Sequence, residues 1–430
     1  MTASAAPGPR AGPGRSPAGP FRLLWSASAA SNLGDGINIA ALPLLAATLT
    51  RDPLAVAGVA FAGRLPWLML ALPAGAVVDR LPRARLMTAT ALVRATLMSA
   101  LAAATLAGVA SMGLVYVVAL GLGVSETLYD TSIQSSVPLI TPPGRLQSAN
   151  SRLLAGEIAT NQFAGPALGG ALFSLGAWWA GLGGVGAFCA AALAAATFAR
   201  RAGLVVTPRT SGRRAGVGRD VLDGLIVVWR NDLLRAFAVL LAAMSVSFTM
   251  GSAILVLFAV GEDSVLGLGS RGYVALLMIG ALGSAVGSMA AGRVASVFGR
   301  PAALWFAVLV FATAPVVVGV TSDATVVAGV NCLWGFSATL WMVTTTSSWQ
   351  AMIPDAVQGR VAGIYRFAGW GAAPIGSLVG GLLARWWGLR APWFAAAAIV
   401  VAAAVPALRV IRTRSFVDAL DGPHRTAAAR

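Results

Sequence analysis

The sequence predicts an all-α membrane protein with twelve transmembrane helices in two pseudo-symmetric six-helix bundles. First, 57% of its 430 residues are hydrophobic and 11% are charged, against about 45–50% and about 25% in soluble domains. Second, the apolar residues form twelve blocks near or above the roughly 18–20 residues that cross hydrocarbon. Third, the loops after the second and eighth blocks resemble one another, which indicates duplicated halves.

The predicted spans form two groups of six, separated by a polar linker. The first group covers residues 22–49, 53–78, 86–108, 112–136, 147–174 and 178–199. The second group covers residues 235–260, 272–295, 302–320, 324–350, 361–384 and 391–411. Each stretch is long enough to cross the bilayer as a helix.

The segments outside the spans complete the domain organisation. Residues 1–20 are rich in Pro, Gly and Ala and should be disordered because they cannot bury a core. The apolar stretch after them is too long for a signal peptide, so we expect it to remain as the first span. We therefore assign a disordered tail (1–20), an N-terminal six-helix bundle (21–200), a linker (201–234), a C-terminal six-helix bundle (235–412) and a second tail (413–430).

The arginines predict the orientation of the chain. The segments on the side of the tails and the linker hold 23 of the 31 arginines, and the opposite loops hold four. Basic loops stay in the cytoplasm, so we expect a multi-pass protein of the inner or plasma membrane with both termini cytoplasmic. In the linker, the helical spacing of Val221, Leu225 and Val228 predicts an amphipathic helix on the membrane surface.

The composition excludes several classes of protein. The sequence contains no lysine, and a Walker A loop, a kinase nucleotide site and a Schiff-base enzyme each need one. Cys189, Cys332 and His424 are too dispersed for a metal cluster. The net charge of +16 lies mostly in short loops, as expected for topology rather than nucleic-acid binding. We expect a protein that is not an enzyme and has no cofactor, metal or nucleic-acid partner.

The two repeated loops, GAVVDRLPRARLM (75–87) and GRVASVFGRPAAL (292–304), align at one offset of 217 residues. They resemble the signature loop of the major facilitator superfamily. Ser296 replaces the aspartate of that signature in the second copy. The residues that match it, which form the predicted cytoplasmic gate motif, are Gly75, Asp79, Arg80, Arg83, Gly292, Gly299 and Arg300.

The fifth span carries AGPALGGAL, which resembles the core of the antiporter motif typical of exporters. Glu157 and Asn161 stand where that motif has further glycines. The matching residues are Gly165, Pro166, Gly169 and Gly170. Segments 21–45, 220–237 and 353–376 resemble the branch that contains macrolide-efflux proteins and the enterobactin exporter. The resemblance implies the major facilitator fold and proton-driven alternating access by rocking of the two halves.

Charged residues inside the spans are costly and usually face a partner or a pathway. Asp35 lies about 20 Å and Arg64 about 22 Å from the cytoplasmic ends of consecutive helices, at ~1.5 Å per residue. We expect these two to form an ion pair, which is either functional or a static pair that permits burial. Arg94, in the third span, is a second candidate partner for a buried acid.

The acids of the N-terminal half are the candidates for proton coupling. Glu126 and Asp130 share one helical face. By the family resemblance, Asp130 joins Asp79 and Arg83 in the gate. Glu126 and Glu157 are the favoured proton carriers, with Asp35 as a third, and packing ion pairs are the alternative. After Asp232 every acid falls in a loop or tail, so coupling must be run from the first half.

The predicted function is secondary active transport, with proton-coupled efflux of a small amphipathic drug, siderophore or other metabolite. The alternatives are a nutrient importer of the same fold, an intramembrane enzyme and a sensor that has lost transport. The expected partners are the substrate, protons and the lipid bilayer, and we expect a monomer. Candidate cavity residues, whose tryptophan could instead serve packing, are Asn161, Gln162, Asn331, Trp341, Thr345 and Gln350.

Overall fold

The computed structural model describes residues 18–202 and 217–411, and the predicted tails lie largely outside this part. The first half contains α1 (Ala18–Leu49), α2 (Pro53–Arg80), α3 (Arg83–Leu106), α4 (Met112–Ile140), α5 (Leu146–Glu157), the π-helical segment π1 (Ile158–Ala164), α6 (Gly165–Leu175) and α7 (Ala177–Ala202). Helix α8 (Val217–Arg230) lies in the linker. The second half contains α9 (Asp232–Ala259), α10 (Ser270–Phe298), α11 (Arg300–Val320), α12 (Ala324–Met352), α13 (Asp355–Arg366), π2 (Phe367–Gly371), α14 (Ala373–Trp387) and α15 (Ala391–Ile411).

The predicted all-α membrane fold is confirmed. In the described part of the chain, eleven helical runs are long and apolar enough to cross a bilayer. The fifth predicted span is a continuous run of α5, π1 and α6, in which polar residues such as Glu157 and Asn161 lower the hydropathy. Segments α13, π2 and α14 form the eleventh span in the same manner.

Several spans begin with a side-chain cap at the edge of the bilayer. Asp52 accepts the N–H of Leu54 at 3.1 Å, and Pro53 follows at the first helical position. Asn231 accepts the N–H groups of Leu233 and Leu234 at the start of α9. Such caps satisfy backbone donors that the helix itself leaves free, so the turns between spans can be short.

The repeat seen in the sequence has a structural counterpart. Arg83 and Arg300 are the first residues of α3 and α11. Pro82 precedes α3, whereas Gly299 precedes α11 with a φ of 85°, a conformation that favours glycine. In the first half, α1 packs on α6 and α7, α2 on α4, and α3 on α4 and α7; the equivalent helices pack in the same way in the second half. The two halves are therefore related by pseudo-symmetry.

Consecutive spans run in opposite directions, which defines two faces. We call the side where α1 begins, α7 ends and α9 begins the linker face, and the other side the far face. Helix α8 packs on α13 and α9 at the linker face. Its Val228 is buried, whereas Leu222 and Trp229 are 54% and 57% exposed. The side chain of Val221 lies outside the described residues, and contact of α8 with the membrane surface stays a prediction.

Candidate transport site

A buried arginine lies at the centre of the first half. Nη1 of Arg94 donates hydrogen bonds to the carboxylate of Asp35 at 3.1 Å and to Oγ of Ser31 at 2.7 Å. The guanidinium lies between the rings of Tyr129 and Phe188, 5.4 and 5.2 Å from their centroids. This combination of ion pair, hydroxyl and aromatic faces is suited to a cation removed from water.

Four helices hold this arginine in place. Arg94 projects from α3, its acid is on α1, and its two rings are on α4 and α7. Both α1 and α3 pack along α7. The hydroxyl of Tyr129 donates to the carbonyl of Ala27 at 2.9 Å, which ties α4 to α1. Movement of any one of these helices therefore changes the surroundings of the guanidinium.

The predicted pair of Asp35 with Arg64 is wrong, because Asp35 pairs with Arg94 instead. Equal depth on consecutive helices does not fix the direction in which a side chain points around the helix. Arg64 lies on α2, which packs along α4, and its charge interacts with that of Glu126. The ion pair of the first half thus joins α1 to α3, and not α1 to α2 as the depth argument indicated.

Further carboxyl groups lie near the buried arginine. Glu126 and Asp130 are one turn apart on α4, both half-buried, and both interact electrostatically with Arg94. Among the described residues, Nε and Nη2 of Arg94 have no hydrogen-bond partner. Arg94 can therefore bind a second carboxylate without first releasing Asp35.

Asp130 also connects the cluster to the second half. Its charge interacts with those of Glu157 and Arg366. Nη1 of Arg366 donates to Oε1 of Gln134 at 3.3 Å, which joins α13 to α4. Glu157 and Arg366 are the last residues of α5 and α13, immediately before π1 and π2. The two halves thus carry opposite charges at the residue that precedes each π-helical segment.

Both π-helical segments contact the first helix of their own half. In π1, the carbonyl oxygen of Asn161 lies so close to Gly36 that a Cβ there would be 2.5 Å away. In π2, the carbonyl of Gly369 accepts a hydrogen bond from Ser245 on α9. Gly36 follows Asp35 directly, so a movement of the π1 backbone would shift the part of α1 that carries the ion pair. π-Helical turns are frequent at functional sites, and the sequence analysis did not predict them.

The antiporter-like motif packs α6 against two neighbours. A Cβ on Gly165 would lie 2.5 Å from Cα of Gly36, and one on Gly169 would lie 2.5 Å from the carbonyl oxygen of Ile37. Pro166 is buried within the same segment. Gly170 instead contacts Val274 on α10, in the other half. The first two glycines therefore join α6 to α1, and the last permits close approach of the halves.

The second half contains a copy of this glycine pattern that the sequence analysis missed. Gly376, Gly380 and Gly381 repeat the spacing of Gly165, Gly169 and Gly170 at an offset of 211 residues. A Cβ on Gly380 would lie 2.5 Å from the carbonyl oxygen of Met250 on α9, and one on Gly381 would lie 2.7 Å from Cβ of Ala57 on α2. The identical G-x-x-x-G-G spacing in the two halves was the sequence signal by which this copy could have been found.

Ionic and hydrogen-bond contacts join the halves at the far face. Nη1 of Arg51 donates to the carbonyl of Val260 at 3.0 Å. Arg385 forms an ion pair with Asp52 at 3.6 Å. Together with the contacts of Gly170 and Gly381, these interactions close the far face. Arg51 and Arg385 are two of the four arginines in the opposite loops, which the sequence analysis used only to predict orientation.

Toward the middle of the membrane, the rings of Trp67 and Trp370 stack across the halves with centroids 5.7 Å apart. Leu68 lies beside Gly371 at the same level. Nearer the linker face, the Arg366–Gln134 hydrogen bond is a further link between the halves. The contacts between the halves thus extend from the far face past mid-depth to Arg366 and Gln134.

Among the gate-motif residues, Arg83 makes a defined contact. Its Nη1 donates to the carbonyl of Ser135 at 3.0 Å, which joins the start of α3 to α4 near the linker face. Arg80 is exposed at the end of α2, and the surroundings of Gly75 and Gly292 are open. The side chain of Asp79 lies outside the described residues, so its relay with Asp130 stays a prediction.

The predicted cavity residues separate into two groups. Trp341 is 2% exposed with its ring edge-on to Phe237, and the hydroxyl of buried Thr345 donates to the carbonyl of Trp341 at 2.8 Å. Both lie on a face of α12 that is packed inside its own bundle, and their role as cavity residues stays a prediction. The other four are half-buried or exposed, namely Asn161, Gln162, Asn331 and Gln350.

Residues 15–422 match the family described as transmembrane secretion effectors. The chain belongs to this family. It is 27% identical over 414 residues to the multidrug efflux pump Tap of Mycolicibacterium fortuitum, a match that covers 93% of this chain and 97% of that protein. Membership of the efflux branch of the major facilitator superfamily is thereby confirmed, as is the prediction of a membrane transporter that is not an enzyme.

Solved structures share the fold of this secretion effector. A bacterial homologue of the iron transporter ferroportin, in an inward-facing state, matches with a TM-score of 0.74 at 16% identity, over 93% of this chain and all of that one. The nucleoside transporter NupG matches with 0.72 at 11% identity, over 92% and 100%. A bacterial homologue of the human lysosomal transporter Spinster matches with 0.68 at 13% identity, over 95% and 99%. These similarities confirm the fold.

The burial of Trp341 in this secretion effector leads to a first prediction. We expect Trp341→Ala to lower the stability by about 3–5 kcal/mol, as for other large core residues, without changing which compounds are transported. Trp370→Ala, whose ring is 53% exposed, should change the relative transport rates with little loss of stability. Unfolding midpoints of the purified variants and rates for two unlike compounds distinguish these roles. If Trp341→Ala instead changed the relative transport rates without loss of stability, Trp341 would line the cavity.

Proposed function

We propose that this secretion effector exports a small amphipathic molecule, such as a drug, siderophore or other metabolite, in exchange for protons. The observation that carries the proposal is the buried Arg94–Asp35 pair, with Glu126 and Asp130 within electrostatic range of the same guanidinium. Ionisable groups at membrane depth mark ion and substrate pathways. The similarity to a multidrug efflux pump supports export over import.

We assign the linker face to the cytoplasm because its segments hold 23 of the 31 arginines. In that orientation the contacts of Arg51, Arg385, Gly170 and Gly381 close the outer side. Substrate then enters between the halves from the cytoplasm or the inner leaflet. Rocking about the mid-depth contact of Trp67 with Trp370 opens the outer side. A monomer suffices, since one chain supplies both halves of the site.

In this mechanism, Arg94 links proton transfer to movement of the helices. Its Nη1 holds Asp35, while Nε and Nη2 face no hydrogen-bond partner among the described residues. An ionised Glu126 or Asp130 is attracted to the guanidinium, and protonation removes the attraction. Each protonation event therefore changes how strongly α4 is held against α1 and α3.

Protonation also affects the second half, and it does so through Asp130. Its charge is balanced in part by Arg366 on α13, and Arg366 is bonded to Gln134 one turn further along α4. Loss of the charge on Asp130 weakens this connection between the halves. The second half supplies this arginine but no membrane-depth acid, because its acids lie in loops and tails. Glu157, next to Asp130, is a second site for the proton.

The proposal predicts that Glu126→Gln stops proton-driven transport while the protein still folds. Glutamine has nearly the same shape but cannot exchange a proton. Inside-out vesicles with an acidic interior are mixed with ethidium, a fluorescent amphipathic cation, and with a panel of uncharged amphipathic compounds. We expect uptake by wild type and by Glu262→Gln, an acid in the loop between α9 and α10. We expect vesicles with Glu126→Gln to take up no more of either compound class than vesicles without protein.

Two results would contradict the coupling scheme. Full gradient-driven uptake by both Glu126→Gln and Glu157→Gln would exclude these acids as proton carriers. Uptake that persists when an ionophore removes the pH gradient would exclude proton coupling itself. The energy would then come from a sodium gradient or from the substrate gradient.

A further inference from the structure

A cavity outside the transport site lies near the linker face, where α1 and α5 pack together. Its volume is about 210 Å³, and it is lined by Phe21, Arg22, Trp25 and Arg152. Pockets for drug-sized ligands measure about 300–1,000 Å³. This cavity is therefore too small for a whole drug molecule and is suited to one charged group with a short attached chain.

Two arginines line the cavity, one on each of its two helices. Arg22 and Arg152 are both exposed. They lie about 6 and 9 Å along α1 and α5 from the ends of these helices, at ~1.5 Å per residue, and thus near the membrane–water boundary. Arginine presents a planar fork of donors that matches phosphate oxygens. A pair of such groups at one cavity selects an anion with several acceptor oxygens.

The aromatic residues fix the geometry of the cavity. Nε1 of Trp25 donates to the main-chain carbonyl of Arg152 at 3.0 Å, which ties α1 to α5 and sets the spacing of the two arginines. Trp25 remains 39% exposed, and Phe21 also lines the cavity. The charged cavity is therefore bordered by apolar surface at the level where tryptophan typically meets lipid headgroups.

We propose that this cavity binds the phosphate headgroup of an anionic phospholipid, with Arg22 and Arg152 on the phosphate and an acyl chain along Phe21 and Trp25. Basic pockets between helices on the cytoplasmic side are suited to anionic headgroups. The site joins α1, which carries Asp35, to the α5 half of the span that contains π1. Bound lipid therefore stabilises the packing of these two helices.

Native mass spectrometry of the full chain tests the proposal by titration with phosphatidylglycerol, phosphatidylcholine and inorganic phosphate. We expect phosphatidylglycerol to bind more tightly than phosphatidylcholine. The double variant Arg22→Gln/Arg152→Gln should lose affinity for phosphatidylglycerol by on the order of 25-fold, at about fivefold for each arginine near the surface. The matched control, Arg200→Gln/Arg201→Gln, removes the same charge from the end of α7 and should retain the affinity.

Three results would overturn the assignment. Equal losses in both double variants would mean that the lipid responds to overall charge and not to the cavity. Unchanged phosphatidylglycerol binding in Arg22→Gln/Arg152→Gln would place the lipid elsewhere. Displacement of the lipid by millimolar inorganic phosphate would make the cavity a site for free phosphate. Unfolding midpoints equal to wild type ensure that the comparison is made on folded protein.

Discussion

Asp35→Asn is expected to destabilise the protein strongly, and the additional change Arg94→Gln is expected to restore folding without restoring transport. The carboxylate of Asp35 accepts a hydrogen bond from fully buried Arg94 at 3.1 Å. Removing one partner of a buried pair leaves a charge without compensation, which typically costs about 3–5 kcal/mol. Replacing both partners with neutral amides removes that cost.

Unfolding midpoints in detergent and transport rates in vesicles test this expectation. Arg201→Gln, which removes an exposed arginine at the end of α7, should leave the midpoint unchanged and serves as the control. Rescue of Asp35→Asn by Arg64→Gln instead of Arg94→Gln would re-establish the pair that depth alone had suggested. A double variant that transports normally would reduce the ion pair to a structural role.

A leucine at Gly170 or at Gly381 is expected to abolish transport while the bundles still fold. Each glycine contacts a helix of the other half, Val274 on α10 and Ala57 on α2. An added side chain would separate the halves at the far face, because closely packed interfaces do not accept additional volume without a shift. Such a protein would be held open on the far face and could not complete the transport cycle.

Accessibility measurements distinguish this outcome from simple unfolding. Gln162→Cys, in π1 at mid-depth, is introduced after Cys189 and Cys332 are replaced by serine. An impermeant thiol reagent added on the far face should label Gly170→Leu and Gly381→Leu faster than the parent. Gly186→Leu, whose added side chain meets open space, is the control. Equal labelling rates together with normal transport would remove these glycines from the gating surface.

The sequence was sufficient to predict the twelve spans, the duplicated halves and the efflux branch of the superfamily. The spans and the duplication depend on long apolar stretches and on a loop repeated at a fixed offset, which the sequence shows directly. The branch was predicted from the resemblance of segments 21–45, 220–237 and 353–376 to its members. The partner of Asp35 could not be predicted in this way. Depth along a helix can be read from residue counts, whereas the rotation that brings Arg94 between Tyr129 and Phe188 depends on how α1, α3 and α7 pack.

The remaining differences have similar physical causes. A π-helical turn changes the hydrogen-bond register without a distinctive residue pattern, so π1 and π2 were not predicted. Trp341 and Thr345 lie on the face of α12 that is packed inside the second bundle, and one helix alone does not reveal which neighbour covers which face. The glycines at 376, 380 and 381, by contrast, could have been found by comparing the two halves at spacings other than 217 residues.

The opposite charges of Glu157 and Arg366 also have an electrostatic consequence. Because these residues each precede the π-helical segment of their own half, they create a lateral electric field across the boundary, directed from the second half toward the first. Rocking tilts the two halves relative to the membrane normal but leaves each half on its own side of the boundary. The direction of this field is therefore the same in both states. While Glu157 is ionised, a solute with a separated positive and negative end is therefore expected to bind with its cationic end turned toward α5, and protonation of Glu157 removes this preference.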